Sequence, residues 1–312
     1  MFISVVVPVR NATPYLRQCC EALLSQDYPR DQFEIIMVDN GSTDSSRSII
    51  ERFPGITLLH EAAPGAYTAR NKGLEIARGE VVAFTDPDCA PDRSWLRTLA
   101  AALADETVHV VTGSYLPARP SDILDALASY ENTKNRYIFN SEIPELYYGY
   151  TNNMAVRAKL FHELGLFADR LRGSDAIFAR TVVARYGCRA VRYVDEMRVA
   201  HFEIDSAWSY CRKVFVHAKS VREIGAVAML RPLNRAERLT VFSSMVRRQG
   251  YGITHATKAF LMLASGFGAW TLGTLASRAT EPFKGFLRSD GLHASAADRG
   301  RSLRALESVR RD

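Results

Sequence analysis

Cysteine is scarce in this chain and shows no pairing pattern. Cys19, Cys20, Cys89, Cys188 and Cys211 make an odd number in 312 residues, with no Cys-x-x-Cys. That argues against a disulfide framework or a zinc finger; free thiols fit a reducing compartment and a cytosolic catalytic domain. There is no Gly-x-Gly-x-x-Gly, which disfavours a dinucleotide-binding dehydrogenase. Where a nucleotidyltransferase would want a glycine-rich phosphate loop and lysine, the chain has Val9-Arg10-Asn11-Ala12. No basic run is interleaved with aromatics, so nucleic acid is not an expected partner. The N-terminus enters strand-like sequence without a basic leader or small-residue cleavage site, so a signal peptide is not expected. Internal repeats and low-complexity blocks are also missing.

What remains is an ordinary globular composition, 47% hydrophobic and 24% charged, with net charge +6. Much of the positive excess is arginine in the last third, which favours a phosphate ligand or a membrane surface as partner. Apolar runs at Ile3–Val9, Phe33–Val38, Ile56–Leu59, Val81–Thr85 and Val108–Thr112 read as strands. Helical stretches separate them, the first capped by Thr13 with Pro14 behind it. Strand and helix alternate over the first 115 residues, which predicts an α/β fold with a doubly wound, mostly parallel sheet. Right-handed crossovers place the loops after Val9, Val38 and Thr85 along one edge.

The run Val81–Thr85 is followed by Asp86-Pro87-Asp88. Two carboxylates two residues apart lean to one side of an extended backbone, with proline ending the strand between them. Such a pair repels unless a cation or shared proton relieves it. Hard oxygen ligands suit Mg²⁺ or Mn²⁺, which keep positions open for phosphates. At the carboxyl end of a buried strand, this reads as a metal–diphosphate site.

Further on, Asp122–Phe139 reads as an amphipathic helix and Tyr147–Tyr150 as an aromatic patch able to face a sugar ring. Arg172-Gly173-Ser174-Asp175 opens a helix that stops at Gly187. From Ser206 the pattern is helical. Ala259–Ser277 carries no charge between Lys258 and Arg278, with small pairs Ala264/Gly268 and Ala269/Gly273. Three readings of it stay open: a single span, a re-entrant or interfacial helix, or a buried soluble helix. The basic tail (Arg299, Arg301, Arg304, Arg310, Arg311) suits an anionic lipid surface or disorder. Three regions are expected: residues 1–115, 116–205, and a helical, membrane-associated 206–312.

Five stretches in order now form one pattern: Val5-Val6-Val7-Pro8-Val9-Arg10-Asn11, Val38-Asp39-Asn40-Gly41-Ser42-Thr43-Asp44, Ala69-Arg70-Asn71-Lys72-Gly73-Leu74, Phe84-Thr85-Asp86-Pro87-Asp88 and Asn153-Met154-Ala155-Val156-Arg157. From residue 3 to about 205 the chain resembles the family-two glycosyltransferases, inverting enzymes of the GT-A nucleotide-sugar-binding fold. The resemblance implies that Pro8, Val9 and Arg10 line the nucleotide cleft. It implies that Asp39 accepts a hydrogen bond from the base, and that Arg70 meets base, ribose or diphosphate. Asp86 would meet ribose or metal, Asp88 the metal, and His201 the metal or diphosphate. Asp44 is expected to cap a helix. Residues 1–115 become the nucleotide-sugar half of one domain and 116–205 its acceptor and base half.

The implied reaction transfers one sugar from a nucleoside-diphosphate sugar, UDP favoured, to a hydroxyl acceptor. Asp175 stands at the family's base position, with Asp169 as a substitute. A lipid-linked glycan acceptor, at the inner face of the cell membrane, follows from the C-terminal apolar segment. The family's Gln-x-x-Arg-Trp, a mark of processive synthases, is missing, so single addition is expected. Ser174 stands where the family has glutamate, which leaves a catalytically silent sugar-nucleotide-binding or scaffold protein as the rival reading. Trp95 and Trp208 are expected in the core.

Overall fold

In the computed structural model, which describes residues 1–168 and 172–279, Ile3–Val9 form strand β1, buried along its whole length. It is buried because both neighbours cover it: β2 (Phe33–Asp39) and β4 (Val81–Thr85), each parallel to it. β3 (Ile56–His60) extends the sheet beyond β2. On the other side, β7 (Asn153–Arg157) joins β4 antiparallel, followed by β6 (Val110–Leu116), β8 (Val191–His201) and β5 (Cys89–Pro91). The expected α/β sheet has eight strands and is mixed, with four of its seven pairings parallel. Residues 191–201 form one continuous strand.

Side-chain alternation sends Val5 and Val7 to one face of β1 and Val6 to the other. The first face is covered by α1 (Thr13–Leu24) and α4 (Trp95–Ala102), through Leu16, Leu23, Trp95 and Leu99. The second is covered by α3 (Ala66–Leu74), α5 (Asp122–Phe139) and α7 (Ser174–Tyr186), with α6 (Lys159–Leu164) beside them. Gly73 allows α3 to press onto β1, since a Cβ there would lie 2.5 Å from a Val6 methyl.

Beyond β8 come α8 (Ala207–Ala228), α9 (Arg235–Gln249) and α10 (Ile253–Ala279). α10 meets α8 through Gly266 and Gly273, whose Cβ atoms would fall 2.6 Å from Tyr210 and 2.4 Å from the Phe215 carbonyl oxygen. The packing face is therefore spaced by seven residues. The Ala264/Gly268 pair points away from it: Ala264 is exposed and Gly268 has open space. Trp95 is fully buried, as expected, but Trp208 is 78% exposed, because α8 turns that face outward. The basic tail lies outside the described residues.

The loops after β1 and β2 are clamped together by polar side chains. Asn11, in a left-handed conformation (φ 51°), receives the Thr43 amide at 2.8 Å, and its own amide donates to Ser42 Oγ. Thr13 does not cap α1. It is the first helical residue, and its amide and hydroxyl both donate to Asp44. Asp44 also accepts the Ser46 amide at the start of α2 (Ser46–Ile50), so one carboxylate serves two helix starts. Some burial opposes ionisation, but the hydrogen bonds from Ser46 and Thr13 outweigh it and hold the carboxyl at about 2. A carboxyl lowered on folding stabilises above its ordinary value near 4 and loses that contribution as pH falls toward 2. Asp44→Ala is expected to cost about 1 kcal/mol near neutral pH, the usual worth of a helix-start acceptor. Urea midpoints measured from pH 7 downward should show the gap to wild type narrowing below about pH 4.

Candidate active site

The carboxyl ends of β1, β2 and β4 lie side by side, where the strand order reverses around β1. Pro8 and Val9 are buried there and Arg10 is exposed. Asp39, at the end of β2, is buried; it accepts the Ser42 amide at 3.1 Å and stands 3.4 Å from His60 Nδ1. Asn40 fixes the opposite wall, donating to the Glu61 and Ala63 carbonyls and accepting the Gly65 amide just before α3.

Asp86 and Asp88 do not continue the strand. The Cys89 amide donates to the Asp86 carbonyl, closing a turn, and the two carboxylates are taken by different partners, Arg70 and His201. Asp86 receives Arg70 Nη2 at 2.5 Å. Burial and the like charge of Asp88 push its carboxyl up, while Arg70 pulls it down. Arg70 is almost wholly buried, and its Cζ lies 5.2 Å from the centre of the Tyr67 ring. Among the described residues its Nε has no partner, and a buried donor left so costs on the order of 1–3 kcal/mol. An anionic ligand oxygen would satisfy it.

Asp88 reaches the far edge of the sheet. β5 pairs antiparallel with β8 so that Cys89 lies opposite His201, which brings Asp88 Oδ2 to 3.2 Å from His201 Nε2. Burial raises the Asp88 carboxyl, but the His201 hydrogen bond, with the charges of His201 and Lys213, holds it below the ordinary carboxylate range. Asp88, Cys89 and His201 place one ligand atom each within 4.8 Å of one another. Burial pushes the Cys89 thiol well up, so it stays protonated and is a poor ligand for a hard ion. One carboxylate and one imidazole fit a Mn²⁺ or Mg²⁺ ion that draws its remaining ligands from substrate oxygens and water.

Asp175 lies in the first turn of α7, behind Gly173 in a left-handed conformation. Its Oδ1 accepts the Tyr67 hydroxyl at 2.7 Å, and its Oδ2 accepts the Thr151 amide and hydroxyl at 3.0 and 3.2 Å. Burial and the Asp175 charge drive the Tyr67 phenol far above its ordinary range, so it remains a donor. Ser174, 1% exposed, donates to the Ala168 carbonyl at 2.6 Å. Its hydroxyl is thereby turned to Ala168 and not to Asp175. Asp169 lies outside the described residues.

Tyr67, Thr151 and Lys213 were not among the sequence-predicted residues. Tyr67 precedes Arg70 by three positions and so shares its helix face, which was a readable signal. The aromatic patch divides. Tyr147 is a core residue whose hydroxyl donates to the Phe139 carbonyl. Tyr150 lies 5.6 Å from Tyr115, whose ring is 6.3 Å from His201.

A family model described as "Glycosyl transferase family 2" matches residues 4–165. Glycosyltransferase AglE of Haloferax volcanii is 29% identical over 65% of this chain and 71% of its own length. Glycosyltransferase GlyG of Streptococcus pneumoniae is 38% identical over 38% of this chain and 41% of its own. Among solved structures, mannosyltransferase PcManGT from Pyrobaculum calidifontis, in complex with GDP-Man and Mn²⁺, superposes with a TM-score of 0.57 at 22% identity, covering 99% of this chain and 85% of that one. Glucosyl-3-phosphoglycerate synthase from Mycobacterium tuberculosis, in complex with Mn²⁺, UDP-Glc and phosphoglyceric acid, gives 0.52 at 18% identity over 74% and 81%. The fold is that of the GT-A glycosyltransferases, and the chain belongs to glycosyl transferase family 2.

Proposed function

We propose that this glycosyltransferase moves one sugar from a nucleoside-diphosphate sugar to an acceptor hydroxyl with inversion at the anomeric carbon. The observation that carries the reading is the double reach of α3: Tyr67 holds Asp175 and Arg70 holds Asp86. A carboxylate fit to take a proton is thereby tied to the carboxylate turn fit to hold a sugar nucleotide. In the reaction the acceptor oxygen attacks C1, and its proton passes to the Asp175 carboxylate. The bond from C1 to phosphate oxygen breaks, with its electron pair leaving on the diphosphate. A single base suffices, and no sugar–enzyme bond is needed. Tyr67 and Thr151 orient that base. Arg70 and Asp86 hold ribose or diphosphate, Asp39 takes the base, and Pro8, Val9 and Arg10 line the cleft. Asp88 and His201 are the residues that would hold Mg²⁺ or Mn²⁺, which when bound offsets charge on the leaving diphosphate. In this reading residues 1–115 bind the donor and 116–205 supply base and acceptor contacts.

We read residues 206–312 as the contact with an anionic membrane, at its cytoplasmic face, where a lipid-linked glycan would be the acceptor. Residues 206–279 carry eleven Lys and Arg against two Asp and Glu, whereas residues 1–205 carry 22 against 27. Among the described residues, ten of the fourteen exposed large apolar side chains lie between Trp208 and Leu275. Ile253–Ala276 is long and apolar enough to cross a bilayer, yet α8 holds its Gly266 and Gly273 face. Phe260, Leu261 and Leu272 are left outward, which suits an in-plane helix.

Calorimetric titration with UDP and GDP, the nucleotides of the two structural relatives' donors, should show one binding in a Mn²⁺-dependent manner, with the metal effect lost in Asp88→Ala. Weak, metal-independent binding of both would overturn the donor site. Asp175→Asn is expected to lower kcat by about 10² to 10⁴ while nucleotide affinity stays within a few-fold. Nucleotide release on adding acceptor separates this enzyme from a silent scaffold. Flotation with phosphatidylglycerol vesicles should recover the protein, release it in alkaline carbonate, and fail for Phe260→Ser/Leu261→Ser/Leu272→Ser. Resistance to carbonate would instead indicate a span.

A further inference from the structure

Lys213 is placed in the site by a helix that the family match does not reach. α8 starts directly after the β8 turn, fixed by reciprocal Ser206 and Ser209 capping bonds. Lys213 Nζ lies 2.6 Å from Glu203 Oε2 and 3.2 Å from His201 Nε2. That same Nε2 is 3.2 Å from Asp88 Oδ2.

One imidazole nitrogen can donate a proton or accept one, not both. If Nε2 donates to Asp88, the Lys213 ammonium faces an N–H; if it accepts from Lys213, its lone pair faces the carboxylate. With Nε2 donating to Asp88, Lys213 keeps Glu203 as its partner, and its ammonium is held beside the imidazole without being consumed by it. A metal ion held by Asp88 and His201 would draw the anionic oxygens of a bound ligand to this corner of the site, beside Lys213. The ammonium, its side chain about one-third exposed, then stands beside whatever anion is held there.

We infer that Lys213 contacts the diphosphate of the sugar nucleotide, giving the leaving group a fixed positive charge supplied by the C-terminal helices. This rests on the donor-site reading above. It assigns a role to a residue outside residues 4–165, the span of the family model. Glu203 anchors the side chain between turnovers and touches no substrate.

The test is calorimetry with the nucleoside diphosphate that wild type binds, and with its monophosphate and free nucleoside, each with Mn²⁺. Lys213→Ala is expected to weaken the diphosphate about tenfold or more, the range of a charged hydrogen bond, and to leave the nucleoside unchanged. The diphosphate's salt dependence should become shallower. Lys213→Gln keeps the length without the charge and should behave likewise if the alanine variant folds poorly. Glu203→Gln should keep diphosphate affinity. Unchanged diphosphate affinity in both Lys213 variants, or equal loss for nucleoside and diphosphate, would overturn the inference alone. A wild type that binds no nucleoside diphosphate would overturn the transferase reading and this inference together.

Discussion

The buried guanidinium of Arg70 is the constraint on which the rest of the site depends. It is held between the Asp86 carboxylate and the Tyr67 ring, with little access to water. Removing one partner of a buried pair leaves a charge unpaired, at a cost of about 3–5 kcal/mol, far more than an exposed pair contributes. α3 therefore cannot move without Asp86. The tyrosine one turn before Arg70 holds Asp175, so the start of α7 is tied to the same helix. Gly73 completes the arrangement by letting α3 lie close enough to β1 for both reaches.

The same economy explains why the two aspartates part. Left together in a low-dielectric turn they would repel, and one would be driven to protonate. The turn at Asp86–Cys89 sends one to α3 and the other to β8, each toward a cation or a hydrogen-bond donor. The short β5 strand matters out of proportion to its three residues. Its register against β8 sets Cys89 opposite His201 and so fixes the separation of Asp88 from the imidazole.

Much of the first 115 residues is legible because buried interior strands write themselves as apolar runs: Ile3–Val9 and Val81–Thr85 are strands with those bounds. The direction of a strand is not written that way. Asn153–Arg157 looks the same whether it runs parallel or antiparallel, and only its partners β4 and β6 decide. Motif and position single out Asp86, Asp88, Asp175 and His201 as candidates. They do not single out Tyr67, Thr151 and Lys213, because each meets its partner across more than ten residues of sequence. The small pairs in α10 mark a face but not which one: Ala264/Gly268 has packing spacing, while Gly266 and Gly273 do the packing.

Ser174 illustrates how a departure from a family pattern acquires meaning only in three dimensions. A glutamate there would place a second carboxylate beside Asp175, at a position that is almost fully buried. The serine instead donates to the Ala168 carbonyl. Asp175 is then held by the Tyr67 hydroxyl, by the Thr151 amide and hydroxyl, and by the amide of its neighbour Ala176. The helix that carries the proposed base therefore contributes only a backbone amide, and the side-chain donors that aim it come from α3 and from the turn before β7. Beside the site stands a wall formed by β6 and the 147–152 segment. There Tyr115 donates to Asn152 and packs against Tyr150, near His201. Such a wall is aromatic with a few polar groups, the combination that pairs with the apolar face and hydroxyl edge of a sugar.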